Sequence, residues 1–321
     1  MATPTAPVPR TIDELLTTQK DALGDEPVLA YPDQDSNYVY YTLRDLDSLA
    51  SNAAAQYAEV IPPRKSSSEE PRLVALLGFS DIAYVITMLA VSKLGHAVLL
   101  LSPRLALPAY RHLLTQTDCL SLIYQPNRSA IAREIQTELP EVDVQPIVGL
   151  PTMKQSAVGN GIAFSRTGLD LDLEKEKTAW IFHSSGSTGM PKPVRLSHRS
   201  ALENYRRDID RLNMCSFLTL PLFHTHGIST LFRAFFTGKT VYMYSSSLPI
   251  TTKNLITAMR DIPLEIFCAV PYALKLLSES TEGLQMLRGF RLVTYGGSSC
   301  PKQLGDVLTE QGVNLVSVYG M

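Results

Sequence analysis

A run of hydroxyls and glycines at residues 183–192 is the stretch of this sequence best suited to hold an anion. It reads His-Ser-Ser-Gly-Ser-Thr-Gly-Met-Pro-Lys and follows the apolar run 179–182, which predicts a buried strand. Glycines let the backbone approach a ligand closely, and successive N–H groups form a cradle for phosphate oxygens. This Ser/Gly loop (residues 184–192) therefore predicts a phosphate site, with a flexible linker as the alternative. Its candidate binding residues are Ser184, Ser185, Gly186, Ser187, Thr188, Gly189 and Lys192.

The spacing within the Ser/Gly loop differs from that of the common P-loop. A P-loop has Gly-Lys-Ser/Thr contiguous at a helix N-terminus. Here Met190 and Pro191 separate Gly189 from Lys192, and a proline disfavours a helix interior. The sequence therefore argues against a P-loop enzyme that hydrolyses ATP.

A second polar group, Pro-Leu-Phe-His-Thr-His-Gly at residues 221–227, lies between the predicted strand 217–220 and a predicted helix. His224 is a candidate hydrogen-bond donor near developing negative charge. The alternatives are a turn with incidental histidines and a metal site formed with His226. Two ligands are too few for a metal site and no third is evident, so no metal ligand is assigned.

A glycine turn forms the third group. Tyr295, Gly296, Gly297 and Ser298 follow the predicted strand 291–294, and the glycines allow close approach of the backbone to a ligand. A plain strand-to-helix turn is the alternative. Cys300 has no His or Asp neighbour in sequence and is not assigned as a nucleophile.

Alternating strands and helices must position these groups. From residue 72 onward, short apolar runs alternate with amphipathic stretches, including a predicted helix over 199–212. This order predicts an α/β fold with mostly parallel sheets covered by helices. Ligands in such folds bind at the carboxyl ends of strands, where all three groups lie.

The composition narrows the classes of protein and of partner to consider. The chain has 321 residues, 45% of them hydrophobic and 19% charged, with a net charge of −2, which is typical of a soluble globular protein. The near-neutral charge gives no indication of a nucleic-acid partner, and no apolar run is long enough for a membrane span. The four cysteines are scattered without a CxxC pair. We expect reduced thiols and a cytoplasmic location.

The Ser/Gly loop resembles the phosphate-binding signature of adenylate-forming enzymes, which include acyl-CoA synthetases, luciferases and the adenylation domains of peptide synthetases. That signature ends in Pro-Lys-Gly, and Pro193 stands here where glycine is usual. The His224 segment and the Tyr319-Gly320 pair match two further signatures, so the resemblance covers nearly the whole chain. Residues 1–10 are rich in Pro, Thr and Ala and predict a disordered leader, and the resemblance implies an incomplete AMP-binding domain over 11–321. Its subdomains would span about 11–150 and 178–321, joined by an irregular connection.

The resemblance also implies roles for individual residues. His224 and Lys192 would be catalytic, with His224 against the reacting carboxylate and phosphate. ATP would be held by the Ser/Gly loop and by Gly296, Gly297, Ser298, Tyr319 and Gly320. The acyl pocket would include His226, Gly227, Tyr295, Gly296 and Gly297.

The implied function is ATP-dependent activation of a small carboxylic acid to an acyl-adenylate. In the longer parent, a thioester on CoA or on the phosphopantetheine of a carrier protein would follow, and a reductase domain is a further possible partner. The Mg²⁺-binding Glu, the ribose-binding Asp and the lid Lys of the family would all follow Met321. We therefore expect little or no turnover from this chain alone. A non-catalytic protein that binds nucleotide or acyl groups is the alternative.

Overall fold

The computed structural model describes residues 8–154, 168–184 and 189–318. The helices in these ranges are α1 Ile12–Leu23, α2 Leu43–Tyr57, α3 Ile82–Lys93, α4 Leu107–Thr117, α5 Ser129–Glu138, α6 Leu150–Lys154, α7 Leu171–Glu174, α8 His198–Arg206, α9 Thr225–Thr237, α10 Thr252–Met259, α11 Pro271–Ser278, α12 Thr281–Gly289 and α13 Lys302–Glu310. The strands are β1 Pro27–Pro32, β2 Tyr38–Thr42, β3 Leu73–Leu77, β4 Ala97–Leu101, β5 Ser121–Tyr124, β6 Asp143–Pro146, β7 Thr178–Ser184, β8 Lys192–Ser197, β9 Ser216–Leu218, β10 Val241–Met243, β11 Ile266–Ala269, β12 Leu292–Tyr295 and β13 Leu315–Ser317.

Contacts between Cα atoms divide the chain into two compact units, each of which contains one sheet. Unit one consists of Met1–Gly24, Arg44–Gly78 and Ala83–Asn204. Unit two consists of Asp25–Leu43, Phe79–Ile82 and Tyr205–Met321. This division differs from the sequence-based boundary at 151–177, since the chain on both sides of that stretch belongs to unit one.

Unit one contains a six-stranded sheet in the order β6-β5-β3-β4-β7-β8. All neighbours are parallel except β7 and β8, which are antiparallel. Every residue of β4 is buried, and Trp180 of β7, which pairs with Val98 of β4, is fully buried. These strands are continuous apolar runs because both faces of a parallel sheet are covered. The sheet therefore holds β7, and with it the start of the Ser/Gly loop, rigidly.

Two groups of buried ion pairs connect distant segments of unit one. Arg64 donates from its terminal nitrogens to the two carboxylate oxygens of Glu174, at 2.7 and 2.9 Å, and both side chains are buried. Lys93, also buried, donates to Asp13 at 3.0 Å and contacts Asp47. The positive charge of Lys93 opposes the effect of burial and lowers the pKa of Asp47. Such pairs fix the segments that carry them.

Unit two contains a seven-stranded sheet in the order β13-β12-β11-β9-β10-β1-β2. All neighbours are parallel except β1 and β2. Phe217, Phe267 and Val293 lie on adjacent strands, are fully buried and belong to one hydrophobic core cluster. The carboxyl ends of β9, β11 and β12 are therefore side by side, which brings the turns that follow them to one edge of the sheet.

The α/β fold with mostly parallel sheets confirms the sequence prediction. The position of Thr11 before the apolar pattern of residues 12–16 predicts a helix cap, and the structure confirms this cap as well. The Thr11 hydroxyl caps α1 by accepting a hydrogen bond from the Glu14 N–H at 3.1 Å. The helix predicted over 199–212 is shorter, because α8 ends at Arg206 and Asp208 has a positive φ of 56°. Strand β6 and helix α12 were not predicted. No helix within the described ranges is both long and apolar enough to cross a membrane.

Two sequence predictions fall partly outside the described residues. Of the expected leader, residues 1–7 are outside, whereas Arg10 forms ion pairs with Glu14 and Asp172 at 3.1 and 3.5 Å. Of the expected irregular connection over 151–177, residues 155–167 are outside, and the remainder contains most of α6 and all of α7.

Candidate functional site

The two ends of the Ser/Gly loop are held next to each other in unit one. Ser184, at the end of β7, is the strand partner of Lys192, at the start of β8. The Ser102 N–H donates to His183 Nε2 at 3.1 Å, which fixes the entry to the loop. Gly189 has a φ of 85°, in the left-handed region that favours glycine, and Lys192 is exposed. The loop is thus a strand-to-strand connection that presents a cation at the carboxyl end of β7.

Four residues of this loop, Ser185, Gly186, Ser187 and Thr188, lie outside the described residues, as do Tyr319 and Gly320 near the C-terminus. Their predicted roles in binding phosphate and adenine therefore stay predictions. Ser184, Gly189 and Lys192 belong to unit one. The other described site residues, which lie between His224 and Ser298, belong to unit two.

In unit two, His224 stands at the start of α9. Its side chain is exposed, it occupies the N-cap position, and its carbonyl oxygen accepts a hydrogen bond from the Ile228 N–H at 3.1 Å. The positive end of the helix dipole favours negative charge at this position. A hydrogen bond of 2.8 Å from the Leu222 N–H to Ser80 Oγ secures the preceding turn. His224 is therefore displayed on a rigid support, as its predicted role requires.

Gly227 permits the turn before α9 to pack against the helix. A Cβ at this position would lie 2.2 Å from the carbonyl oxygen of Pro221 and 2.8 Å from its carbonyl carbon, distances that no real Cβ shows. The contact is with backbone atoms, so no side-chain movement could relieve it. The glycine in this motif is thus required by packing, whatever its role in binding a substrate.

His226 points toward the glycine turn. Its Nε2 lies 3.4 Å from Thr294 Oγ1, whereas its buried Nδ1 has no hydrogen-bond partner among the described residues. A Cβ on Gly296 would lie 2.7 Å from that Nδ1. Burial, helped by the positive charge of Arg233, lowers the pKa of His226 to about 4. His226 is thus a neutral imidazole at pH 7, with one buried ring nitrogen that has no hydrogen-bond partner among the described residues.

The glycine turn itself is held between neighbouring strands. The Gly296 N–H donates to the Ala269 carbonyl at 3.2 Å, and the Val318 N–H donates to the Tyr295 carbonyl at 2.8 Å. Gly296 is buried, whereas Gly297, with a φ of 81°, and Ser298 are exposed. The turn therefore offers both a close backbone approach beside His226 and an exposed backbone surface.

The structure thus brings His226, Gly296 and Thr294 into contact at one edge of unit two. Thr294 and Arg233 were not singled out from the sequence. Arg233 could have been found, because His226, Thr230 and Arg233 recur at helical spacing in a helix whose other residues are largely apolar. Thr294 is an ordinary strand residue without such a signal. The described ranges contain no group of three or more His, Cys, Asp or Glu side chains that could hold a metal ion.

Comparison with known proteins places the chain in a family. A sequence profile of AMP-binding enzymes matches residues 16–321. The chain is 29% identical to the adenylate-forming reductase stbB of Stachybotrys bisbyi, over 87% of this chain and 27% of that protein. It is 30% identical to the non-ribosomal peptide synthetase ascB of Acremonium egyptiacum, over 84% of this chain and 26% of that protein. The chain thus spans about a quarter of the length of these curated relatives.

A solved structure supports the fold. The anthranilate CoA ligase AuaEII in complex with anthranoyl-AMP superposes with a TM-score of 0.76 at 17% sequence identity. The match covers 100% of this chain and 61% of that one.

Proposed function

The chain belongs to the family of AMP-binding enzymes, and from that premise we propose that it binds ATP and a small carboxylic acid for conversion to an acyl-adenylate. The observation that carries the proposal is the paired base of the Ser/Gly loop. There Ser184 and Lys192 hold a hydroxyl- and glycine-rich connection at the end of a buried strand. A loop closed in this way offers backbone N–H groups and a cation to a phosphate chain.

The proposed reaction joins the two substrates directly. A carboxylate oxygen of the acid attacks the α-phosphorus of ATP, a C–O–P linkage forms, and the bond from that phosphorus to the bridging oxygen breaks. Pyrophosphate leaves with the bonding electrons. Catalysis of this step depends mainly on positioning and on stabilisation of charge.

Lys192 and His224 are the catalytic residues of the proposal. Lys192 would offset negative charge on the phosphates, because it is exposed at the exit of the Ser/Gly loop. His224 would donate a hydrogen bond to the reacting oxygens from the start of α9, where the helix dipole favours an anion. Ser185, Gly186, Ser187 and Thr188 would contact phosphate, and Tyr319 with Gly320 would contact adenine.

Unit two would supply the residues around the acyl-adenylate. Gly296 packs closely against His226, because a Cβ on the glycine would lie 2.7 Å from Nδ1, a buried atom with no partner among the described residues. Gly297 and Ser298 add an exposed backbone for the nucleotide. The acyl group would lie against His226, Gly227 and Tyr295.

Further components belong to the proposal for the whole protein. Mg²⁺ would neutralise charge on the departing pyrophosphate, but no described cluster of ligands is assigned to it. The acyl group would then pass to the thiol of CoA or of a carrier-protein phosphopantetheine. Similarity to a reductase and to a peptide synthetase supports a carrier-protein or reductase domain as a partner.

ATP–pyrophosphate exchange with a panel of carboxylic acids tests the proposal, in this chain and in a version extended past Met321. We expect exchange in the extended version. Lys192→Ala and His224→Ala should each lower its rate by about 10²–10³-fold, as for loss of one charge-stabilising donor. Lys275→Ala, which removes an exposed lysine from α11, is the matched control and should retain full exchange.

Two results would contradict the proposal. ATP binding without exchange for any acid would show a non-catalytic nucleotide-binding protein. Unchanged exchange in both variants would remove Lys192 and His224 from the reaction.

A further inference from the structure

The two neighbours of strand β7 support it over different lengths. The ladder between β7 and β4 ends where Ile181 pairs with Leu99. The ladder between β7 and β8 continues to Ser184 and Lys192, at the two ends of the Ser/Gly loop, but β8 is the edge strand of the sheet. The base of the loop therefore extends beyond the ladder that joins β7 to the centre of the sheet.

A side chain joins β7 to β4 beyond the end of that ladder. His183, the residue before Ser184, accepts a hydrogen bond at Nε2 from the N–H of Ser102, the residue that follows β4, at 3.1 Å. Because the donor is a backbone N–H, Nε2 carries no proton in this contact. The imidazole thus takes the place of a backbone hydrogen bond between the carboxyl ends of the two strands.

Ser102 is itself held from the side of helix α4. Its carbonyl oxygen accepts a hydrogen bond of 2.8 Å from the Tyr110 hydroxyl, and its Oγ accepts one of 3.3 Å from the Arg104 N–H. Tyr110 is buried, and burial raises the pKa of its hydroxyl to about 12, so the group stays a donor at neutral pH. A continuous chain of hydrogen bonds therefore connects α4, the end of β4 and the end of β7.

This chain of hydrogen bonds bears on Lys192, because Lys192 is the strand partner of Ser184. A group that stabilises charge loses much of its effect when it is misplaced by about 1 Å. Without the His183 bond, the end of the hairpin would be free to move away from β4, and the Lys192 ammonium would move with it. The position of this cation thus depends on a residue that carries no charge in the contact.

We propose that His183 is a positioning residue for the outer two phosphates of ATP. By holding the end of β7 against Ser102, it keeps Ser184 and Lys192 where they can bind those phosphates. This inference rests on the proposed function, because the Ser/Gly loop must be the phosphate site. His183 would act through the hairpin and touch neither substrate, so its loss should affect only ligands that carry the outer phosphates.

Titration calorimetry with ATP and with AMP tests the inference on the 321-residue chain without requiring turnover. AMP is the matched ligand, because it has the same nucleoside and α-phosphate but lacks the outer phosphates. His183→Phe keeps a ring and removes the hydrogen-bond acceptor. We expect ATP to bind this variant about 3–10-fold more weakly, the range for loss of one hydrogen bond, and AMP to bind as it does to the unaltered chain.

A rescue variant and a matched control separate positioning from stability. His183→Gln offers Oε1 at a reach similar to that of Nε2 and should restore most of the affinity for ATP. The control is His96→Asn, at the amino end of β4. His96 is buried, with Nε2 2.8 Å from the Pro62 carbonyl oxygen, a contact that the shorter asparagine loses. This variant should unfold at a lower temperature and bind ATP unchanged.

Hydrogen exchange at the Ser102 amide tests the bond itself, independently of any nucleotide. The amide should exchange faster in His183→Phe than in the unaltered chain, because its acceptor is gone, and slowly again in His183→Gln. Equal exchange rates in the unaltered chain and in His183→Phe would show that the imidazole does not hold Ser102.

The outcomes separate this inference from the proposed function. Unchanged ATP affinity in His183→Phe would refute the role of the histidine and leave nucleotide binding intact. Equal losses of ATP and AMP affinity would show that His183 serves the fold as a whole instead of the outer phosphates. Binding of neither nucleotide to the unaltered chain would count against the proposed function and the inference together.

Discussion

The two units differ in how their buried polar groups are matched. In unit one, Arg64 meets both oxygens of Glu174, and Lys93 contacts two aspartates. In unit two, His226 Nδ1 and Arg233 Nε are buried without hydrogen-bond partners among the described residues; Arg64 Nε also lacks a hydrogen bond, but the Glu174 carboxylate balances its charge. Since buried polar groups are nearly always paired, the exceptions need a reason.

The paired charges of unit one support the fold, whereas the unmatched groups of unit two lie among the residues proposed to bind substrate. The Arg64–Glu174 pair joins residues 110 positions apart, and the Lys93–Asp13 pair joins residues 80 positions apart. Such pairs brace the sheet that holds the Ser/Gly loop. The unmatched groups of unit two instead lie on α9, and His226 lies beside the glycine turn. Three experiments test this difference between the two units.

The largest effect is expected from Glu174→Gln. This change leaves the buried Arg64 guanidinium without its counter-charge, and removal of one partner of a buried pair costs about 3–5 kcal/mol of unfolding free energy. Urea unfolding at pH 7 measures it. The matched control is Glu176→Gln, which breaks an exposed pair with Arg199 and should cost less than about 1 kcal/mol. Equal costs for the two variants would show that the buried pair does not brace unit one.

The next effect is a dependence of stability on pH that arises from His226. Its folded pKa of about 4 lies below the unfolded value of about 6.5, so the unfolded chain binds the proton more readily. The destabilisation begins as pH falls below about 6.5 and is complete below about 4. It amounts to at most about 3 kcal/mol.

The measurement compares unfolding free energies of the unaltered chain and of His226→Asn across that range. We expect the variant to lose less stability on acidification, because the proton-binding group is gone. Parallel curves would show that His226 is not held neutral by burial.

A smaller effect is expected from Gly296→Ala. The new methyl group would approach His226 Nδ1 and the Val318 carbonyl oxygen, at 2.7 and 3.2 Å before any movement. Such overpacking costs roughly 1–3 kcal/mol. It should also weaken acyl-adenylate binding, because the overpacked methyl group displaces the glycine turn.

Gly305→Ala is the matched control within unit two. A Cβ at this position in α13 would meet nothing within 4 Å, so the change should stabilise the chain by about 0.5–1 kcal/mol. Equal changes in the free energy of unfolding for Gly296→Ala and Gly305→Ala would show that close packing against His226 does not set the cost.

Local patterns account for what could be predicted from the sequence. Apolar runs such as Leu73–Leu77 and the cap at Thr11 depend on neighbours within a few positions. The Ser/Gly loop between two strands could also be recognised from neighbouring residues alone. Helix α8 is shorter than predicted because Asp208 adopts a left-handed conformation, which favours a turn over a continued helix. Strand β6 was missed because its short Asp-Val-Gln-Pro sequence has little apolar character.

The fold class and the three polar groups that follow strands could be predicted from the order of residues, because periodicity and turn chemistry are short-range properties. The matching of buried charges could not, because it depends on the folded arrangement. Arg64 and Arg233 are the same residue type, yet one meets Glu174 and the other has no described carboxylate within ion-pair distance. Pairing and desolvation depend on residues brought together from distant parts of the chain, and those long-range contacts arise only in the folded protein.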